Sequence, residues 1–362
     1  MLQYTTGSLP LLQDMRSIPD FDWAAEQYLR VQQYSFYRTA AAGEWSYRNN
    51  LDVWSKVKFR TRVLNDVSKV NETLPYVSCS RFPTCSNQPK TTFLGYNFSA
   101  PIFIAPAARA AYGNERAELN FVDAAANENI LYTASSLTLS GPQATFQQIY
   151  SNINLSVTWD AIARAEAFGA KAIVWTIDAP ATSTRHRAAR YDTTNANAVT
   201  SALTWDLYDQ IRNRTSLPII PKGISTFEDA LIAVEKGAPA IYISNHGGRQ
   251  LDHSPSPLEI AYEIYRNAPQ VFEQVKVMAD SGVRYGTDVV KLLALGVKMV
   301  GLGRSFMYSN CYGLDGVTKL IQILKTEIAA DAAQAGVTDL RNVSRSLLNT
   351  RTLDETVFLL DG

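Results

Sequence analysis

Ile241-Tyr-Ile-Ser-Asn-His-Gly-Gly-Arg-Gln-Leu-Asp252 reads as an apolar strand that runs directly into a histidine, two glycines and an arginine. A base and a fixed cation leave one strand end together. The glycines remove Cβ atoms where a flat ligand or another backbone has to come close. Arginine offers a planar fork suited to a carboxylate. The combination suits a site that oxidises a hydroxy acid; the bland alternative is a strand closed by a glycine turn, with a structural histidine. Strands that deliver reactive side chains at their C-terminal ends are the units of α/β barrels, so the question is whether the unit recurs.

It recurs from Pro101 onward. Short β-branched or apolar runs alternate with helical stretches at Pro101–Pro106, Ile130–Ser135, Ala144–Tyr150, Ala172–Asp178, Pro218–Lys222, Ala240–His246, Val275–Asp280 and Met299–Arg304. Between them, Trp159–Phe168, Thr226–Lys236 and Gly286–Leu295 carry helical apolar spacing, several closed by a glycine placed for a C-cap. Eight βα units imply a TIM (β/α)8 barrel. A doubly wound sheet would want a Gly-x-Gly-x-x-Gly turn after an early strand, and none stands there.

Residues 19–50 read as helices rich in Trp, Tyr and Ala, and 70–95 as an irregular loop. Residues 1–100 are thus expected to form an N-terminal helical cap with a loop. Residues 101–362 are expected to form the barrel, with Thr318–Ala333 as a C-terminal helix on the outer wall, followed by Gly336.

The 362 residues carry 34 basic and 34 acidic side chains, so nothing in the charge balance favours a nucleic acid or an anionic membrane. A hydrophobic fraction of 46% with no apolar run long enough to span a bilayer predicts a large core and no transmembrane helix. The first residues lack the features of a signal peptide and the last three are not a peroxisomal signal, so a cytoplasmic location is expected. Of the three cysteines, Cys79 and Cys85 lie in a Pro-, Ser- and Asn-rich segment, and with Cys311 they make neither a metal-ligand spacing nor a disulfide framework. Reduced thiols and no metal are expected.

Barrel enzymes place reactive groups at the C-terminal ends of the strands. Here those ends carry Gln148 and Tyr150, Thr176 and Asp178, Lys222, Ser244 and His246, Asp280, and Arg304. Strand-end salt bridges explain one or two of these, not the whole set. The loops after strands seven and eight, Ser281-Gly-Val-Arg-Tyr-Gly286 and Gly301-Leu-Gly-Arg304, bring small residues and two arginines to helix starts, the usual phosphate site of the fold. A lysine near a flat ring suits a flavin whose reduced form is anionic. FMN fits better than NAD.

With those residues in view, the chain resembles the FMN-dependent L-2-hydroxy acid oxidase and dehydrogenase family, from about Asp20 to the C-terminal helix. Ser244–Asp252 lies close to the family signature, supported by Thr176-Ile-Asp178, Pro221-Lys-Gly223, Asp280–Asp288 and Gly303-Arg304. The resemblance implies His246 as the active-site base, paired with Asp178, which is expected to raise its pKa. It implies Arg249 as the clamp on the substrate carboxylate with Arg185 assisting, Tyr150 on the hydroxyl or developing carbonyl oxygen, and Lys222 on the N1 and O2 edge of the flavin. Arg284, Gly303 and Arg304 would hold the phosphate, with Asp280 and Gly282 in the same loops. Ala107, Ala108, Ser135, Gln148, Thr176 and Ser244 would line the isoalloxazine. The implied reaction takes a 2-hydroxy acid to a 2-keto acid, with oxygen or another electron acceptor and, by resemblance, a homotetrameric assembly. Whether the Cα hydrogen leaves as a proton or a hydride stays open.

Departures from the family pattern bear on substrate. Phe36 stands where a tyrosine usually contacts the substrate carboxylate, with Tyr37 and Tyr34 as alternatives that could reach the site while Phe36 packs in the core. Leu137 stands where glycolate oxidases have a tryptophan, and Gly141-Pro142 arrives early. A wider or more apolar pocket follows. Ala108 favours oxidase chemistry over the monooxygenation that the family associates with glycine there. Residues 1–100 do not read as a haem domain, so delivery through a fused cytochrome is not expected. Other readings are a flavin dehydrogenase, an oxidase of a larger hydroxylated substrate and a catalytically silent flavin-binding protein.

Overall fold

A computed structural model describes residues 7–67, 91–135, 143–191 and 203–360. Eight parallel strands close into one barrel: β1 (Ile102–Ile104), β2 (Leu131–Ala134), β3 (Thr145–Ile149), β4 (Ala172–Thr176), β5 (Ile219–Ile224), β6 (Ala240–Ile243), β7 (Lys276–Ala279) and β8 (Met299–Leu302). Closure comes from β8 pairing with β1, Val300 opposite Ile102 and Leu302 opposite Ile104. All eight expected strands are present. Most were legible because a strand buried on both faces favours a continuous apolar run, with Gln147 and Gln148 in β3 and Lys222 in β5 among the exceptions; seven of the eight are buried throughout while Lys276 alone is exposed.

Alternation then divides each strand between two cores. Phe103, Leu131, Phe146, Val174, Ile220 and Tyr242 fill the barrel interior, while Ile102, Ile104, Tyr132, Ile173 and Ile241 face the helices outside. Part of the segment expected to be an irregular loop is instead a hairpin, Thr91–Phe93 paired with Tyr96–Phe98. Its turn is Leu94-Gly95, both with positive φ as a two-residue hairpin turn requires. It sends Phe93 and Phe98 into the interior cluster as a floor. Residues 68–90, including Cys79 and Cys85, lie outside the described residues.

The cap contributes α1 (Ile18–Tyr28), α2 (Val31–Arg38) and α3 (Trp45–Asp52). Ser17 and Asp20 form a capping box at the start of α1, with Pro19 in its first turn. The outer wall follows with α4 (Leu119–Glu128), α5 (Leu155–Ala167), α6 (Trp205–Arg212), α7 (Phe227–Glu235), α8 (Pro257–Asn267) and α9 (Gly286–Ala294), then the short α10 (Arg304–Ser309) and the long α11 (Gly313–Gln334). Two helices start earlier than expected. α5 begins at Leu155 because Asn154 accepts the Ser156 N–H as its cap, and α11 runs straight on from Gly313 rather than starting at Thr318. Met15, Ile18 and Phe21 of the cap belong to the same buried cluster as the wall. Cys311 is a free, buried thiol, and no group able to hold a metal occurs among the described residues. Among those residues no helix is long and apolar enough to cross a membrane.

Candidate active site

His246 leaves β6 with φ +58°, a left-handed conformation uncommon for a residue with a side chain. Asn245 holds this turn: its Oδ1 accepts the Gly248 N–H at 3.1 Å, and its Nδ2 donates to Asn50 Oδ1 at 2.7 Å and to Pro255 O at 3.0 Å. Of the two glycines that follow, Gly248 is the one required by a second backbone. A Cβ there would lie 2.7 Å from the Tyr47 N of α3, and φ is +72°. Gly247 lines the cavity, and a Cβ there would lie 2.6 Å from Arg304 Nη1.

The imidazole is oriented from both sides. Nδ1 lies 2.9 Å from Asp178 Oδ1, just beyond β4, and Nε2 lies 3.3 Å from the Tyr150 hydroxyl, just beyond β3. Facing a carboxylate, Nδ1 carries the proton of the neutral ring. Nε2 is then the acceptor, and Tyr150 donates to it. Asp178 itself fits only because residue 223 is glycine: a Cβ on Gly223 would stand 2.5 Å from the Asp178 Cβ.

Charge around the pair corrects one expectation. Burial tends to raise the Asp178 carboxyl, but His246 and Lys222 outweigh it and hold the group below its ordinary value. The His246 pKa is lowered, not raised: burial leads, Lys222 and Arg185 act in the same direction, and Asp178 opposes them without prevailing. Proximity to a carboxylate was visible in the sequence, whereas burial beside two cations was not. The result is an ionised Asp178 against a neutral imidazole whose Nε2 is unprotonated and accepts from Tyr150. Burial likewise keeps Tyr150 a phenol.

Lys222 sits within β5 and is buried, yet it stays charged: burial lowers its pKa, and Asp280, Asp178 and Tyr150 raise it further than burial depresses it. Its Nζ donates to Ser244 Oγ at 3.2 Å, and Ser244 Oγ donates to Asp280 Oδ1 at 2.6 Å. Tyr242 donates to the other Asp280 oxygen at 2.6 Å from inside the barrel. This chain fixes one ammonium at the mouth.

Three arginines converge from loops four, six and eight. Arg249 Nη1 donates to the carbonyls of Phe36 at 2.7 Å and Thr39 at 2.9 Å, at the C-terminal end of α2. Arg304 grips the same turn through Tyr37 O at 2.7 Å and Thr39 O at 3.2 Å, and reaches Gly247 O at 2.9 Å. These are carbonyls that a helix end leaves without partners. Arg185 donates to Arg249 O and to Gln250 Oε1, each at 3.1 Å. Among the described residues none of the three forms an ion pair. Burial, then Arg185 and Arg304, push the Arg249 pKa well down, and burial takes Arg185 down to about 10. Partly buried cations held on carbonyls without a counter-ion mark a place for an anion.

These groups surround a cavity of about 1210 Å3, counting its open mouth. His246, Tyr150, Lys222, Arg249 and Arg185 line it, as does Phe36. Of the positions expected to touch a cofactor, Ala107, Ala108, Ser135 and Gln148 form one wall. Asp280, Gly282, Arg284, Gly303 and Arg304 form the far end. Thr176 and Ser244 are buried and do not line the cavity, nor does Asp178, which bonds to His246 Nδ1. The donor set fits FMN: a wall of small side chains for a flat ring, one buried ammonium, and Arg284 beside the two glycines for a phosphate. The Arg304 guanidinium is engaged by the cap, so its reach towards a phosphate is shorter than its position in sequence suggests.

Phe36 faces the cavity with its ring between two guanidiniums, 4.4 Å from Arg109 Cζ and 5.1 Å from Arg249 Cζ. Tyr37 also lines the cavity, but its hydroxyl donates to Arg109 O at 2.6 Å. The Tyr34 hydroxyl turns away to Asp22 at 3.0 Å. Leu137 and Gly141-Pro142 lie outside the described residues. Sequence reasoning missed Asn245, Gln250 and Tyr242; the position of Asn245 and Gln250 on either side of His-Gly-Gly-Arg was the available signal.

The FMN-dependent dehydrogenase family matches residues 25–200 and 190–350. The chain is 30% identical to the cytochrome L-lactate dehydrogenase of Saccharomyces cerevisiae over 95% of its own length, but it spans only 62% of that protein. It is 30% identical to glycolate oxidase of Spinacia oleracea, covering 92% of this chain and 95% of the relative. The solved flavin-binding domain of baker's yeast flavocytochrome b2 superposes with a TM-score of 0.85 at 30% identity, covering 98% of this chain and 91% of that one. A mandelate oxidase variant solved with (S)-mandelic acid superposes with a TM-score of 0.80 at 28% identity, covering 92% and 98%.

Proposed function

The chain belongs to the FMN-dependent dehydrogenase family, and on that premise we propose that it oxidises an L-2-hydroxy acid to the 2-keto acid with FMN as its cofactor. One observation carries the reading: a neutral His246, held by ionised Asp178, faces the cavity beside arginines that lack a counter-ion. FMN, when bound, supplies the two-electron acceptor. Arg249 and Arg185 bind the substrate carboxylate, which supplies the charge their burial calls for. His246 Nε2 takes one proton from the substrate, whichever route the Cα hydrogen follows, and Asp178 stabilises the imidazolium that results. Tyr150 hydrogen-bonds the oxygen on which the carbonyl develops.

Lys222 would stabilise negative charge on the reduced cofactor. Ala107, Ala108, Ser135 and Gln148 would flank the ring, with Ser244 holding Lys222 and Asp280 in place. Gly282, Arg284 and Gly303 would hold the phosphate, with Arg304 adding positive charge from the turn it grips and Asp280 anchoring the loop. Phe36 removes one hydroxyl from the carboxylate pocket, a loss on the order of 1 kcal/mol for a charge-assisted bond, and leaves an aromatic wall. An aromatic or longer aliphatic hydroxy acid therefore suits the pocket better than glycolate.

Oxygen is the acceptor we favour, on Ala108 beside the ring and on relatives named as oxidases. A dehydrogenase is the second reading, supported by relatives named for a cytochrome acceptor. The test is an anaerobic visible titration of the purified protein with glycolate, L-lactate and (S)-mandelate, followed by air. Bleaching by mandelate before glycolate, with rapid recovery and peroxide, is expected. Slow recovery would shift the assignment to a dehydrogenase, and a bound flavin that no hydroxy acid bleaches would refute the activity.

A further inference from the structure

Arg185 reaches the cavity from the loop after β4, and that loop is fastened to the cap by a carboxylate that no step of the reaction requires. Glu44 stands at the entry to α3 with φ +60° and is almost fully buried. Its Oε2 lies 2.7 Å from Arg187 Nη1 and 3.8 Å from Arg38 Nη1, and its Oε1 accepts the Ala40 N–H at 3.2 Å. Two residues away along the turn, the Ala42 N–H donates to Thr184 O at 2.8 Å. Thr184 and Arg187 are thus tied to the cap on either side of Arg185, whose own donors point inward to Arg249 O and Gln250 Oε1.

We propose that Glu44 and Arg187 form a latch that positions Arg185 on the substrate carboxylate, an inference that rests on the role for Arg185 proposed above. An ion pair with one half-exposed partner is ordinarily worth little. Here the carboxylate is the buried member, at 7% side-chain exposure against 54% for Arg187. Removing Arg187 leaves a desolvated charge whose nearest cation is more than 1 Å further away, so the turn and the loop have reason to part. The same neighbourhood opposes Arg185 staying where it is once released: burial already depresses it and Arg304 repels it. Geometry set by the latch therefore holds one cation beside others.

The latch predicts an effect on binding rather than on the chemical step. In the FMN-loaded enzyme, Arg187→Ala should raise KM for the panel acid that reduces the flavin, and Kd for pyruvate read by flavin spectral perturbation, each roughly tenfold. kcat and FMN content should stay within twofold of the parent. Arg187→Lys should restore most of the loss, and Glu44→Gln should reproduce it from the other side. Combined with Arg185→Lys, Arg187→Ala should add nothing, since a latch has no purpose without the group it holds. Additive losses in that pair overturn the proposal, as does an unchanged Arg187→Ala while Arg185→Lys is impaired. An unimpaired Arg185→Lys overturns the role of Arg185 itself and the latch with it.

Discussion

Replacing Asp178 with Asn removes one charge from the site and leaves its shape intact. The amide oxygen can still accept from His246 Nδ1 at the 2.9 Å seen for the carboxylate, so ring orientation and tautomer persist. The backbone carbonyl of residue 178, which accepts from Gln250 Nε2 at 3.3 Å, is untouched. What changes is the stabilisation of the imidazolium formed during turnover. Two unit charges about 4 Å apart interact by about 4 kcal/mol at an effective dielectric constant of about 20. That corresponds to roughly a thousandfold in rate, and the residual dipole of the amide recovers part of it. Anaerobic stopped-flow reduction of the flavin should therefore slow by roughly 10²- to 10³-fold with FMN content unchanged. The pH profile gives an independent sign. His246 titrates below its ordinary value of 6.5, so activity should rise with pH through an acid limb below that point. Asp178 is the group that opposes this depression, so Asp178→Asn should move the limb to still lower pH. A rate within tenfold of the parent, or a limb that moves up, would refute the electrostatic role assigned to Asp178.

Gly248→Ala places a Cβ 2.7 Å from Tyr47 N at φ +72° and should cost on the order of 2–4 kcal/mol, seen as a lower denaturant midpoint with an unchanged slope; an unshifted midpoint would show that α3 does not press on this turn. Glu327 is pushed up to about 7 by burial, with Asp331 and Asp288 adding to it and the Gly286 N–H opposing. The native state then keeps a proton that the unfolded chain has already lost, so stability falls as pH rises from about 4.5 to about 7 and the penalty is complete above that. Glu327→Gln should accordingly raise Tm near pH 8, by the equivalent of about 1–2 kcal/mol after allowance for solvent screening, and much less near pH 5.

Sequence reasoning reached the barrel because its signal is local. A run such as Ala172-Ile-Val-Trp175 has to be apolar when helices cover one face and the interior the other. The polar residues that end each run could be listed in order, and most of them do meet at one cavity. What escaped is what depends on facing partners far along the chain. Arg304 carries a phosphate-site position in sequence, yet its guanidinium goes to carbonyls of residues 37 and 39. The acidity of His246 is set by burial, with a cation from β5 and another from loop four acting the same way, and the carboxylate that sequence paired with it opposes them without prevailing. Arg187 and Glu44 are separated by 143 positions, and nothing in either neighbourhood announces the other. The hairpin at 91–98 was hidden for a different reason: Leu94-Gly95 follows a turn-rich stretch and looks like more of it.

The grip of Arg249 and Arg304 on the end of α2 also sets the order in which this molecule can be made. The cap leaves the ribosome before the barrel, and its partners are 213 and 267 residues downstream. At about 5–20 residues per second, on the order of tens of seconds separate the two. During that interval α1 and α2 have no barrel against which to bury Phe21, Phe36 and Tyr37, and helices of 11 and 8 residues are too short to persist alone in water. The carboxylate pocket is consequently among the last parts of the structure to assemble, closed by the long-range contacts that slow folding most. A chain stalled before Arg304 would carry its base and its strand-end carboxylates but neither the eighth strand's arginine nor a seated cap, and the aromatic face of α2 would be open to chaperones.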